Sequence, residues 1–308
     1  MGIGLRVAGM GEPIDHVTTP VTYRGVTIST FPQASPNGLY ILSSVDGKNF
    51  TAPAGVSNPV FGFPSTGGSG SSSGTQASSV IFDGVTYWVA YEFNNLSGSN
   101  NKFGIAKASS LAGPWTWVTD VTAVATTSTS TNVWNPRWFI DDDDSVHILV
   151  NVESGVTYDT AFHPVMLDTV DPTFVSWSGP TLISGTFPSD MIDTFMMSPN
   201  NSPNGLYNIW FKQEGIPGSL FIGYMSSSSL KTGYSVTQSG NWAGWGQAEG
   251  PMVDHIAGSH WRMYLISPIA GAMNYSDSFD NWATWTAITP IGAPFVNPGT
   301  GSIIYRVL

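Results

Sequence analysis

The sequence predicts an all-β fold, a five-bladed β-propeller closed by its C-terminal strand, and three observations carry that reading. A phrase recurs five times: a short apolar strand, a turn, a strand bearing Tyr or an aliphatic residue, then a Gly or Pro beside an aromatic. The second strands carry Tyr40, Tyr87, Ile148, Tyr207 and Tyr264 at intervals of 47 to 61 residues, near the repeat length of propeller blades of about four strands. The closing aromatics are Phe50, Trp115, Phe174, Tyr234 and Trp282. Helix-period patterning is almost absent, while 34 Gly and 21 Pro in 308 residues supply the turns that such a fold needs.

In chain order, residues 1–25 precede the first clear repeat and read as an N-terminal arm or peripheral segment. Residues 26–308 read as one propeller domain, a length that all-β folds reach as a single unit. Repeat one is a strand at 37–42, an Asp46-Gly47 turn and the stretch to Phe50. The Gly/Ser-rich run 66–75 is a linker, since no Lys or helix start follows it as a phosphate cradle requires. Repeat two opens at 79–82, turns at Asp83-Gly84 and ends at 108–117. Repeat three opens at 133–140 and turns through four consecutive Asp, 141–144, which read as a hairpin tip rather than a calcium loop. Repeat four runs through 191–197 and 205–210, and repeat five through 248–253 to 280–282. The last strand, 301–308, is predicted to become the inner strand of repeat one, because an open sheet edge invites aggregation.

Composition narrows the partners. A formal net charge of -11 with 10 Lys and Arg gives no electrostatic grip on nucleic acid or anionic lipid. No apolar run of about 18 residues spans a membrane, and residues 1–6 show neither a signal core nor an acylation motif. With no Cys there is neither a disulfide nor thiolate chemistry. The Ser, Thr, Gly and Asn richness matches secreted or virion-surface β proteins, so an extracellular or virion-surface location is expected. A neutral ligand, carbohydrate, suits this chain best, and 12 Trp leave some rings free to meet sugar faces.

The chemistry is sought at the strand heads. In a propeller the first strand of each blade lines the axis, so residues heading successive inner strands face one another: Gln76, Asn135, Asp193, Glu249 and Thr300. Asp193 and Glu249 are read at matching positions, each in apolar sequence. A buried carboxylate costs free energy unless paired or protonated. Two acids across a pocket are what glycosidic cleavage needs, one donating a proton to the leaving oxygen and one activating water or attacking carbon. The alternative is that each acid accepts backbone N–H groups at a strand start. Trp134, Trp138, Trp242 and Trp245 lie near the heads or in the loop before Glu249, where they would floor a pocket.

These residues resemble the five-bladed propeller glycosidases of glycoside hydrolase family 43 and their relatives, which act on arabinose, xylose or galactose linkages by inversion. Glu249-Gly250-Pro251 is similar to the family's acid-Gly-Pro general acid, Ile192-Asp193 to the Ile-Asp that tunes and orients it, and Trp134-Asn135-Pro136 to its Trp-Ala-Pro. The resemblance implies Glu249 as general acid and Asp193 as its modulator, and the strand-head and aromatic positions add Gln76, Trp134, Asn135, Trp138, Trp245 and Thr300 around the substrate. Two places depart from it. Where the family carries its general base, this chain has Gln76 or Ala77, or Asn135 in a register shifted by one blade, and an amide cannot take a proton from water. Where relatives carry Gly-His-Gly-Ser near an axial calcium or water, this chain reads Gly299-Thr300-Gly301-Ser302, so an axial calcium loses its supporting residue, and no cofactor is expected beyond that unsupported calcium.

His147 and His163 read as structural. His255 and His260 lack the third ligand of a zinc site, no Gly-x-Ser-x-Gly elbow occurs, and Ser44-Val45-Asp46-Gly47 lacks the spacing of a sialidase Asp-box. Two functions stand: a carbohydrate-recognising propeller on a glycoside hydrolase plan that cleaves arabinose-, xylose- or galactose-containing polysaccharide, or a non-catalytic glycan-binding or structural module of a virion, such as a tail fibre. The second would use the N-terminal arm for virion or homo-oligomer assembly.

Overall fold

The computed structural model describes residues 25–30, 38–64, 66–68, 77–93, 100–124, 131–154, 162–188, 190–214, 220–268, 272–292, 302–303 and 305–306. Its strands are β1 (Gly25–Thr30), β2 (Leu39–Ser44), β3 (Ser78–Phe82), β4 (Tyr87–Glu92), β5 (Lys102–Ala108), β6 (Thr116–Thr122), β7 (Thr131–Ile140), β8 (Val146–Ser154), β9 (Phe162–Thr169) and β10 (Trp177–Leu182). They continue as β11 (Gly185–Thr186), β12 (Met191–Met197), β13 (Tyr207–Gln213), β14 (Phe221–Ser227), β15 (Tyr234–Gln238), β16 (Glu249–Ala257), β17 (His260–Ser267), β18 (Ala272–Ser278), β19 (Thr289–Pro290), β20 (Ser302–Ile303) and β21 (Tyr305–Arg306). No helix among the described residues is long and apolar enough to cross a membrane.

The fold is an all-β propeller. Four sheets are blades built as meanders: β3 to β6 with β21 beside β3, β7 to β10, β12 to β15 with β11 beside β15, and β16 to β19. The remaining sheet has three strands in the order β2-β1-β20. The five matched blades expected from the repeat are therefore four full blades and one smaller sheet. Tyr40, expected on a second strand, lies on β2, third from β20, whereas Tyr87, Ile148, Tyr207 and Tyr264 do lie on second strands. The missing second strand is β1, whose GVTIST sequence has no aromatic and no Asp-Gly turn to mark it. β20 pairs with β1 at Thr27↔Ile303 and Ile28↔Ser302. The proposed arm lies outside the described residues except for Gly25, which starts β1.

First strands sit at the centre, for β7 packs against β3 and β12, and β12 against β16. Apolar clusters fill the space between blades. One joins Trp88 and Phe103 to Trp138 and Phe174, and another joins Trp210 and Tyr224 to Trp261 and Trp282. The five closing aromatics are all buried. Turn acids set them in place: Asp46 accepts from the N–H groups of Lys48 and Asn49, both at 2.8 Å, and Asp171 from those of Thr173 (2.8 Å) and Ser176 (2.6 Å). Fully burying a Phe such as Phe174 contributes roughly 1.5–3 kcal/mol, and Phe174→Ala would cost about 3–5 kcal/mol.

The four-Asp run is the hairpin tip expected, and it also ties two blades together. Asp141 Oδ2 accepts from the Tyr207 hydroxyl (3.0 Å) and Asp142 Oδ2 from the Asn200 N–H (3.1 Å). Burial raises the Asp141 carboxyl above its ordinary value. The last full blade meets the three-stranded sheet through backbone bonds from the Phe50 N–H to Gly292 O (2.6 Å) and from the Gly292 N–H to Lys48 O (2.9 Å).

Candidate functional site

Three successive inner strands carry the same irregularity. In β7 the pairing steps from Trp134↔Asn151 to Arg137↔Leu149, in β12 from Ile192↔Lys212 to Phe195↔Trp210, and in β16 from Glu249↔Ile266 to Met252↔Tyr264. Each is a β-bulge, with three residues on the inner strand spanning two on its neighbour. The second residue of each bulge has a positive φ: Asn135 at 55°, Asp193 at 55° and Gly250 at 62°. Asn, Asp and Gly are the residue types that tolerate this backbone best.

The bulges correct the sequence alignment by one residue. Glu249 corresponds to Ile192 and Trp134, whereas Asp193 corresponds to Gly250 and Asn135. The two acids are not at matching positions. They meet because each bulge reaches towards the next strand. The Gly250 N–H donates to Asp193 Oδ2 (3.2 Å), Asn135 Nδ2 donates to Thr194 O (3.2 Å), and the Asn135 N–H donates to Glu92 Oε2 (3.0 Å). Asn151 and Lys212, each opposite the first bulge residue, also reach forward. The Thr194 N–H and hydroxyl donate to Asn151 Oδ1 (3.2 and 3.1 Å), and the Lys212 ammonium reaches the next blade.

Lys212 organises the acids. Its Nζ lies 2.6 Å from Glu214 Oε1, 2.8 Å from Glu249 Oε2 and 3.4 Å from Asp193 Oδ2. An ammonium has three N–H donors, and here three carboxylates face them. Burial alone would lower the Lys212 pKa, but Asp193, Glu249 and Glu214 outweigh it and raise it. The Lys212 side chain is 6% exposed, against 12% for Asp193, 20% for Glu214 and 27% for Glu249, so the cation lies beneath and the acids rise towards solvent. Among the described residues, Asp193 Oδ1, Glu214 Oε2 and Glu249 Oε1 have no hydrogen-bond partner. The site thus presents a formal surplus of two negative charges and three open acceptors.

Neither Lys212 nor Glu214 heads an inner strand, so neither is among the residues expected from the sequence. The available signal was a lone Lys in the strand YNIWFKQ, whose residues from Asn208 to Lys212 are all buried.

The other expected site residues divide. Trp134 holds the same bulge place as Glu249 and remains partly exposed, stacked on Phe162 with centroids 4.8 Å apart. Asn135 is buried, with Oδ1 accepting from Arg137 Nε (3.0 Å) and Nδ2 spent on Thr194, so it braces the bulges and does not face a substrate. Trp138 packs against Phe174 and Trp177 in the core between two blades. Trp245 is buried among Trp242 and Trp285 and donates to Ser276 Oγ (3.0 Å). Both read as pocket floor because they neighbour the heads in sequence, but Trp138, on β7, and Trp245, in the loop before β16, each bury their rings in the interior. Gln76 and Thr300 lie outside the described residues. Ala77, at the head of β3, is buried and bonds through its backbone to the Glu92 N–H (3.2 Å).

A second polar group resembles a catalytic triad only in its distances. Ser145 Oγ is 2.8 Å from His147 Nε2, and His147 Nδ1 is 2.7 Å from Asp168 Oδ1. Ser145 Oγ also donates to Asp143 Oδ1 (2.5 Å), so its proton is already engaged, and Lys231 Nζ occupies the other Asp168 oxygen. His255 bonds Gly258 O and stacks on Trp261, and His260 faces Asp277, uses a structural reading accommodates. No group of three or more metal-ligating side chains was found among the described residues.

No family model and no curated protein matches this sequence. Solved structures do share the fold. An α-L-arabinofuranosidase from Clostridium thermocellum aligns with a TM-score of 0.58 at 16% identity, covering 86% of this chain and 87% of its own. An α-L-arabinofuranosidase from Lactobacillus brevis aligns at 0.52 and 13% identity, covering 80% and 74%. An exo-β-1,3-galactanase from Clostridium thermocellum aligns at 0.54 and 11% identity over 74% of this chain and 50% of its own. The virion reading draws no support from these likenesses, which establish that this chain has the propeller fold on which such glycoside hydrolases are built.

Proposed function

We propose that this propeller recognises glycan chains containing arabinose, xylose or galactose at the heads of its inner strands, on a glycoside hydrolase plan, and that Glu249 addresses the glycosidic oxygen. The observation that carries the reading is the pair Asp193 and Glu249, brought from neighbouring blades onto one buried ammonium, with an oxygen of each unpartnered among the described residues. Glu249 Oε1 is the atom placed to donate a proton to a leaving oxygen. Asp193 orients the Glu249-Gly250 segment through the Gly250 N–H. Trp134, at the corresponding place two blades earlier, offers a ring face to a sugar.

Glu214 and Glu249 both touch Nζ, at 2.6 and 2.8 Å, and no base for inversion is assigned among the described residues. The buried methyl of Ala77 at the head of β3 supports a second reading, glycan binding without turnover. We further infer that the three-stranded sheet stands as a fifth blade, that β20 closes the ring on β1, and that residues 26–308 form the domain with 1–25 peripheral to it.

The test is a screen of arabinan, xylan and galactan for binding and reducing-sugar release by wild type and Glu249→Gln. Release that disappears in Glu249→Gln supports cleavage, and binding without release in both proteins supports the second reading. An absence of binding and release in wild type sinks both.

A further inference from the structure

Resting on that glycan reading, we propose that Lys212 and Glu214 form a positioning pair, in which Glu214 fixes the Lys212 ammonium and the ammonium holds Glu249 with Oε1 turned to the substrate. Lys212 lies on β13 and Glu214 one residue past its end. β13 runs past the β12 bulge towards β16 and brings both to one cluster, with Nζ and Oε1 2.6 Å apart. The Glu214 N–H donates to Asp190 O (3.1 Å), which anchors the strand end beyond the regular ladder.

Two observations separate this arrangement from a plain structural ion pair. A structural pair needs one acid per base, whereas Lys212 meets three, and each acid spends one oxygen on the cluster. In addition, the Lys212 side chain is 6% exposed and lies beneath the three carboxylates, so a ligand meets the acids before the ammonium. Lys212 therefore acts through the carboxylates and is a positioning residue, not a catalytic one. Glu214 holds the ammonium at 2.6 Å from the side of its own strand end, whereas the other two acids come from the bulges. Without it the ammonium is free to move towards Asp193, and Glu249 loses its fixed rotamer. A displacement of about 1 Å at a reacting group costs on the order of 100-fold in rate.

The experiment follows the Glu249 side chain directly, by carbon NMR titration of protein labelled at Glu carboxyls, with the signal assigned through Glu249→Gln. The titratable groups facing Glu249 among the described residues are Lys212, Asp193 and Glu214. Wild type, Glu214→Gln, Lys212→Met and, should the last fail to fold, Lys212→Arg are compared. The expected result is a moved Glu249 midpoint in Glu214→Gln and in the Lys212 variant. On a bound glycan, Glu214→Gln should lower kcat on the order of 100-fold with little change in KM, or, in a protein that binds without turnover, weaken affinity about tenfold. An unmoved Glu249 midpoint in folded Glu214→Gln overturns the proposal. If wild type binds no glycan, the functional reading fails, while the titration still decides the coupling.

Discussion

Two of the buried cations, Lys212 and Arg262, lie at neighbouring interfaces and are treated differently. Arg262, on β17, forms a two-pronged bond with Asp277, Nε to Oδ1 at 2.7 Å and Nη2 to Oδ2 at 3.0 Å. Its Nη1 donates to Asp46 O (2.8 Å), joining the last full blade to the β2 turn. His260 and Lys48 complete the surroundings of Asp277. Both carboxylate oxygens are occupied. At Lys212 one base serves three acids, and each keeps an oxygen without a hydrogen-bond partner among the described residues. Saturated polar groups hold a fold together, whereas unsaturated ones near solvent are available to a ligand. By that contrast Arg262 is a joint, and Lys212 belongs to the proposed site.

Substitution tests the contrast most severely. Lys212→Met leaves three carboxylates without their counter-ion, and the expected cost is about 3–5 kcal/mol in urea unfolding at neutral pH, accompanied by loss of glycan affinity. Arg262→Met should cost somewhat less, roughly 3 kcal/mol, because His260 and Lys48 still face Asp277. Glycan affinity of the folded Arg262→Met protein should match wild type, and a loss there would erase the distinction between joint and site.

Acid titration distinguishes them further. Burial alone would raise the Asp277 carboxyl, but Arg262 and His260 outweigh it and hold it below the ordinary carboxylate range. Its contribution to stability is therefore present above the unfolded value of about 3.9 and is lost as pH falls through the folded value. Melting curves between pH 6 and 2 should show a smaller acid-dependent loss in Arg262→Met than in wild type. At the other extreme, the raised Lys212 pKa stabilises fully below the unfolded value of about 10.4 and is lost as pH rises through the folded value. Wild type should lose more stability above about pH 10 than Lys212→Met does. The smallest effect is expected of Trp134→Ala, about 1 kcal/mol in glycan affinity with unchanged unfolding; equal binding would remove Trp134 from the site.

Much of the architecture was legible because it rests on repetition. The closing aromatics Phe50, Trp115, Phe174, Tyr234 and Trp282 are buried in one recurring role, and the turns before Tyr87, Ile148, Tyr207 and Tyr264 fall where the phrase put them. β1 escaped because its sequence carries no member of that phrase. In the site, Glu249 and Asp193 were legible as acids in apolar sequence, but their relation was misread by one residue. A bulge adds a residue without altering local composition, so only the pairing shows it. Lys212 and Glu214 escaped for a different reason: their partners lie on other strands, and no spacing along the chain connects Lys212 to Glu249 37 residues later.

The three bulges have a consequence for how such a protein can change. Each delivers a pair of residues to the same place relative to its blade, and the pairs are Trp134-Asn135, Ile192-Asp193 and Glu249-Gly250. The backbone tolerates Asn, Asp or Gly in the second seat, and the first seat takes side chains as unlike as Trp, Ile and Glu. The scaffold works as a rack of interchangeable sockets, in which chemistry is exchanged one residue at a time while the strands carrying it stay as they are.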